Sequence, residues 1–259
     1  MARQPTGAPP PPAVQKLRLR YTKRGRLRFT SHRDIARVFE RALRRAQVPM
    51  AYSAGFSPHP KVSWVGAAAT GVASEAEYVE ISLAERRDPE QLRLALDAAL
   101  PDGIDLVEAV EAPVGTSLPE RVQASSWEVR LPQVDEVALA GAVAVFLAAD
   151  TVEVERLTKD GRRRFDARAA VVSMSTARDD ACAILRMVVQ HVTPAVRPDD
   201  VLSGLRSVSD LVTPVPPAAT RLAQGPLTVD GEVADPLAPD RQVGETRQVS
   251  EVGGEQPSG

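Results

Sequence analysis

Residues 16–46 read KLRLRYTKRGRLRFTSHRDIARVFERALRRA, and the fold follows from two periods inside that stretch. Leu17, Leu19 and Tyr21 alternate with Lys16, Arg18 and Arg20, the period of two that marks a half-buried strand. Lys23-Arg24-Gly25-Arg26 reads as a turn, after which Leu27 and Phe29 resume the alternation with Arg26 and Arg28 outward. Ser31 opens a helix, with Asp34 at the third following position completing a capping-box pattern. From there the apolar residues Ile35, Val38, Phe39, Ala42, Leu43 and Ala46 recur at helical spacing. The opposite face carries Arg33, Arg37, Arg41, Arg44 and Arg45, whose steps of four and three stack them in a column. Pro49 ends the helix.

Downstream, Tyr52-Ser53-Ala54-Gly55-Phe56-Ser57-Pro58-His59-Pro60-Lys61 reads as a loop. Strands are expected at Val62–Val65, Glu77–Leu83 and Ile104–Val110, with a helix from Pro89 to about Ala99. That order fits a split βαβ, ferredoxin-like unit. After a linker near 113–124, a second unit of similar rhythm follows. Strands are expected at Trp127–Leu131, Val152–Thr158, Phe165–Ser175 and 181–191, with a last short one at Thr220–Gln224. Its helices are expected at Asp135–Ala149 and Pro198–Leu205, and Lys159-Asp160-Gly161 is a hairpin turn. The expected fold class is α+β, two tandem ferredoxin-like layers. The expected spans are a disordered tail 1–13, a first domain 14–112, a second domain 125–224 and an acidic disordered tail 225–259.

Charge is distributed unevenly along the chain. The formal net charge is −2, yet residues 14–48 hold twelve cationic side chains against Asp34 and Glu40, and residues 225–259 hold seven carboxylates against Arg241 and Arg247. A basic head of this density points to a polyanion. No apolar run approaches a membrane span, and no apolar h-region marks a signal peptide, so a cytoplasmic, non-membrane protein is expected. Cys182 is the single cysteine, which excludes an internal disulfide, a thiolate zinc site or an iron–sulfur cluster built by this sequence alone. No cofactor and no metal are expected.

A denser pattern overlies these periods. Arg20-Tyr21-Thr22-Lys23-Arg24-Gly25, Leu27-Arg28-Phe29, Ser31-His32-Arg33-Asp34 and Glu40-Arg41-Ala42-Leu43-Arg44-Arg45-Ala46 resemble the opening of the DUF2344 domain. So do residues 52–61 and Gly71-Val72-Ala73-Ser74-Glu75-Ala76-Glu77-Tyr78. In that family the domain occurs fused behind a radical-SAM enzyme or free-standing, the free form often encoded beside ribonuclease E/G and ribosomal-protein genes. The resemblance implies a radical-SAM-linked family without a settled activity, and this sequence lacks the three-cysteine motif of the fused members.

The leading expectation is a non-enzymatic RNA-binding accessory protein, linked to RNA processing, modification or ribosome assembly. Arg18, Arg20, Arg24, Arg28, Arg33, Arg37, Arg41, Arg44, Arg45 and Lys61 would meet phosphates, because a guanidinium fork matches their oxygens. Tyr52 and Phe56 are candidates for stacking on bases. Two alternatives stand beside this. One is an RNA-processing or modifying enzyme using His32 and His59 as acid and base. The other is an adaptor whose arginine face docks an acidic protein, such as ribonuclease E/G or a separate radical-SAM enzyme.

Overall fold

The computed structural model describes residues 10–242 apart from Val114, Asp160 and Ala181. The fold is mixed α+β, and its described residues form two compact units. The first comprises residues 10–70, 76–119 and 236–242, and the second residues 71–75 and 120–235.

The first unit runs β1 (Gln15–Lys23), α1 (His32–Arg45), β2 (Val62–Val65), β3 (Ala73–Leu83), α2 (Pro89–Asp97) and β4 (Leu106–Glu111). A four-residue helix, α3 (Leu118–Arg121), begins at its far end. Its strands lie in the order β4-β1-β3-β2. The alternation in β1 does what period two requires: Leu17, Leu19 and Tyr21 point into the core. There they meet Val79, Ile81 and Leu83 of β3, the Ile35, Phe39, Ala42 and Leu43 face of α1, and Leu92 and Leu96 of α2. Each of these large side chains contributes about 1.5–3 kcal/mol on burial, which fixes α1 with its opposite face outward.

The second unit repeats that chain order with one insertion. It runs β5 (Ala124–Pro132), α4 (Glu136–Ala148), a hairpin of β6 (Glu153–Thr158) and β7 (Gly161–Asp166), then β8 (Val171–Asp179), β9 (Cys182–Gln190), α5 (Pro198–Val208) and β10 (Ala218–Gly225). Its sheet order is β10-β5-β9-β8, and Ala73 and Ser74 run parallel to Thr220 and Arg221 of β10. Trp127, Val129 and Leu131 of β5 pack with Leu139, Val143 and Phe146 of α4 and Val201, Leu202 and Leu205 of α5. A Cβ at Gly204 would lie 2.8 Å from a ring carbon of Phe146, so α5 needs glycine there.

Four expectations change. Gly25–Phe29 is a 3-10 turn instead of a returning strand, so Leu27 and Phe29 do not share a strand face. Gly25 takes φ +55, which diverts the chain before any ladder can form. The expected strand Phe165–Ser175 is two elements: β7 ends at Asp166, and a 3-10 turn at Arg168–Ala170 starts β8 in a new direction. Arg168 holds that turn by donating to the carbonyls of Leu147 and Val171.

The third change concerns the expected acidic tail. Residues 225–242 are structured: Leu227 bridges Val233, and Leu237 and Asp240 are buried. Residues 243–259 of that tail, and residues 1–9 of the other, lie outside the described residues. The expected domain spans accordingly differ from the compact units, because residues 236–242 belong with the first and residues 71–75 with the second.

Arg18 is the fourth, and the most consequential. Expected to bind nucleic acid, it is wholly buried. Its Nε donates to Glu80 at 3.0 Å, its Nη1 to both carboxylate oxygens of Asp240 at 2.9 and 2.7 Å, and its Nη2 to the carbonyl and hydroxyl of Thr116, both at 3.0 Å. All three guanidinium nitrogens are engaged within the first unit, and the group is fully enclosed, so it is not available to a phosphate. Arg241 adds a more exposed pair with Glu108.

Removing one member of a buried pair strands the other charge. Asp240→Ala is expected to lower stability by about 3–5 kcal/mol, whereas Arg241→Ala, at the half-exposed pair, should stay within about 1 kcal/mol. Urea unfolding followed by circular dichroism and by the fluorescence of Trp64 and Trp127 measures both.

Candidate nucleic-acid interface

The outward face of α1 is set by the burial of its inward one. Ser31 caps the helix, its hydroxyl accepting from the Asp34 amide at 3.2 Å and donating to the Asp34 carboxylate at 2.7 Å. Four arginines, Arg33, Arg37, Arg41 and Arg44, fall within an arc of about 80° at ~100° per residue, and all are exposed. Arg37 pairs with Asp34 at 3.3 Å, and both side chains are more than half exposed. Arg44 donates to the carbonyl of Glu40, and Arg45, on the flank, to the carbonyl of Ala99. Arg33 and Arg41 have no ion-pair partner among the described residues.

This arrangement carries a cost. Like charges four apart on a helix repel by about 0.2–0.5 kcal/mol each, and Arg33/Arg37, Arg37/Arg41 and Arg41/Arg45 are such pairs. On the helix itself only Asp34 and Glu40 offset them, and of the two only Asp34 forms an ion pair among the described residues.

The 52–61 loop lies along one flank of α1. Tyr52 bridges Pro60, the Ser53 amide donates to the His59 carbonyl at 2.8 Å, and the His59 amide donates to the Ser53 hydroxyl at 3.0 Å. Gly55 takes φ +135, a conformation open to glycine, and turns the tip. Phe56 follows it, 68% exposed. Between loop and helix is a cleft of about 250 Å³ lined by Glu40, Leu43, Arg44, Val48, Met50, Tyr52, Pro58, His59 and Pro60. Lys61 is exposed at the end of the loop.

A family model described as "Uncharacterized protein conserved in bacteria (DUF2344)" matches residues 16–198. The chain belongs to the DUF2344 family. The match covers both units of the DUF2344 chain in large part, including the whole of α1 and the 52–61 loop. A search of curated proteins finds no match. A crystal structure of an unknown protein from Galdieria sulphuraria is similar at 15% identity, over 80% of this chain and 98% of that one, with a TM-score of 0.23. At that score the likeness carries no weight.

The remaining residues expected at the DUF2344 interface are less free than those of α1. Arg20 is half-buried, opposite Glu108 in the β1–β4 register. Arg24 pairs with Asp105 at 3.0 Å, with both groups about half exposed. Arg28 lies over the Phe29 ring, 4.6 Å from its centroid, and Phe29 is itself 60% exposed. Sequence reading did not single out Phe29 as a surface aromatic, because its alternation with Leu27 suggested a buried strand face.

His32 and His59 are not brought together. His32 meets the Trp64 ring edge-on, centroids 5.2 Å apart, at the N-terminus of α1. His59 lines the cleft beside Glu40, Leu43 and Arg44, two to three turns further along. Trp64, which lies beside the loop in sequence, packs inward against Tyr21 and Phe39. In the second unit the cations of the hairpin are largely matched: Arg162 pairs with Glu155, Arg164 with Glu153 and Arg156 with Asp200. Among the described residues, no three His, Cys, Asp or Glu side chains are grouped to hold a metal ion, and no helix is long and apolar enough to cross a membrane.

The third histidine, His191, is built into the second unit. Its Nε2 lies 2.6 Å from the Ser125 hydroxyl and its Nδ1 3.0 Å from the Val122 carbonyl. The carbonyl can only accept, so Nδ1 carries the proton and Nε2 accepts from Ser125. Burial pushes the His191 pKa below its ordinary 6.5, aided by the nearby Arg221 charge and opposed by the Val122 hydrogen bond. The folded chain therefore favours neutral His191, and its contribution is complete above about pH 6.5 and falls as acidification proceeds toward the lower folded-state value. Thermal unfolding scanned from about pH 7 down to about pH 5 should show that loss, and His191→Gln should flatten it.

Proposed function

We propose that this chain is an RNA-binding accessory protein that grips a sugar–phosphate backbone along the outward face of α1. The observation that carries the reading is the column Arg33, Arg37, Arg41 and Arg44, exposed and met by one surface carboxylate pair. Such an exposed pair is worth about 0–1 kcal/mol, which a phosphate readily displaces. Side chains three or four apart on a helix stand about 5–6 Å apart, a step suited to following successive phosphates. Arg45, Arg24, Lys61 and the stacked Arg28–Phe29 edge extend the cationic surface, and Tyr52 and Phe56 offer rings for unpaired bases.

The two units are read as tandem ferredoxin-like layers, since each follows a β-α-β-β-α-β path with its last strand beside its first and its third beside that. The natural settings are RNA processing, modification or ribosome assembly in the cytoplasm, with ribonuclease E/G or a separate radical-SAM enzyme as possible protein partners. Against the enzyme alternative, His32 packs on the Trp64 ring while His59 lines the cleft beside Glu40 and Arg44. An adaptor docking an acidic protein remains the competing outcome.

Fluorescence anisotropy with a short single-stranded RNA tests the reading. Affinity should fall steeply with salt, log K losing about 0.7 per decade of salt for each phosphate neutralised. The triple substitution Arg37→Glu, Arg41→Glu and Arg44→Glu should abolish measurable binding without loss of the folded circular dichroism spectrum. Unchanged binding by that variant contradicts the proposal, and co-purification of an acidic protein after nuclease treatment favours the adaptor.

A further inference from the structure

We propose that the cleft between α1 and the 52–60 loop is a base-selective pocket that takes a guanine of single-stranded RNA, an inference that rests on the RNA-binding reading. The cleft offers about 250 Å³, roughly eight water molecules at ~30 Å³ each, room for one unstacked base. Its floor is apolar: Leu43 and Met50 are buried and Val48 half-buried. Tyr52, 40% exposed, supplies an aromatic wall, and Pro58 and Pro60 make the loop side rigid.

The rim identifies the base. Glu40 is the single carboxylate beyond the capping Asp34 on a helix face otherwise filled by arginine. A carboxylate repels the phosphates that the column attracts, so its presence weakens backbone binding unless it receives donors from elsewhere. Arg37 lies three residues before it and Arg44 four after, yet Glu40 has no ion-pair partner among the described residues. The Nε of Arg44 turns instead to the Glu40 backbone carbonyl at 3.2 Å.

Two carboxylate oxygens side by side match two adjacent N–H donors. Guanine alone among the common RNA bases presents such a pair on its Watson–Crick edge, the ring N1–H and the exocyclic N2–H. Single-stranded RNA is read on that edge. The ring nitrogens of His59 have no hydrogen-bond partner among the described residues and stand on the same rim to meet the guanine carbonyl or N7. Arg44 sits where the column and the cleft join, placed for the phosphate of the selected nucleotide.

The test compares a short oligouridine with the same oligomer carrying one central guanosine, by anisotropy at one salt concentration. The guanosine should raise affinity about tenfold, the lower part of the range for a bidentate base contact. Glu40 is exposed, so Glu40→Gln should fold normally. It should bind oligouridine at least as well as the parent chain and lose the guanosine preference to within about twofold. Equal affinity of the parent chain for both oligomers, or a guanosine preference that survives Glu40→Gln, overturns the pocket while leaving backbone binding in place. Failure to bind either oligomer removes the RNA reading beneath it.

Discussion

A guanidinium stays charged throughout the physiological pH range. Each arginine between Arg18 and Arg45 must therefore be neutralised inside the fold or remain in water. The first unit sorts most of them this way, although the Arg28 Nε is buried without a hydrogen-bond partner. Arg18 is enclosed, with all three guanidinium nitrogens bonded to Glu80, Asp240 and Thr116. Arg24 is paired at the surface and Arg28 lies on an aromatic ring. The α1 arginines alone form an exposed column, held in mutual repulsion by the apolar face on the other side of the helix. The anion-binding proposal rests on that exposed, mutually repelling column.

Burial of Arg18 also explains why a segment of low hydropathy is ordered. Residues 236–242 offer little beyond Leu237 to an apolar core, yet Asp240 occupies a fixed place because the buried guanidinium would otherwise be uncompensated. Charge, more than hydrophobic area, docks this segment onto the first unit. The same segment supplies Arg241 to Glu108 on β4. Asp240, read from the sequence as part of an acidic tail, therefore serves the fold of the first unit directly.

Much of this was legible in the sequence, and the boundary has a physical cause. Period two in β1 and period 3.6 in α1 each depend on residues a few positions apart, so Leu17, Leu19, Ile35, Phe39 and the arginine column could be read directly. The fate of Arg18 could not, because its partners lie 62, 98 and 222 residues away. Phe29 misled for a related reason: over three residues, period two and a 3-10 turn look alike. Glu40 is visible in the sequence as the acid among the arginines, but the role proposed for it depends on a loop closed by Tyr52 and Pro60, which sequence spacing does not show. The DUF2344 resemblance, drawn from the first unit, extends through residue 198.

The most direct measurement is photocrosslinking of a bound single-stranded RNA to the full chain, with the adducts mapped by mass spectrometry of tryptic peptides. Adducts concentrated in α1 and the 52–61 loop, at Tyr52, Phe56 or His59, are the expected result. Adducts confined to the β6–β7 hairpin and the rest of the second unit, or none at concentrations where RNA is bound, would contradict the assignment of α1 as the nucleic-acid face.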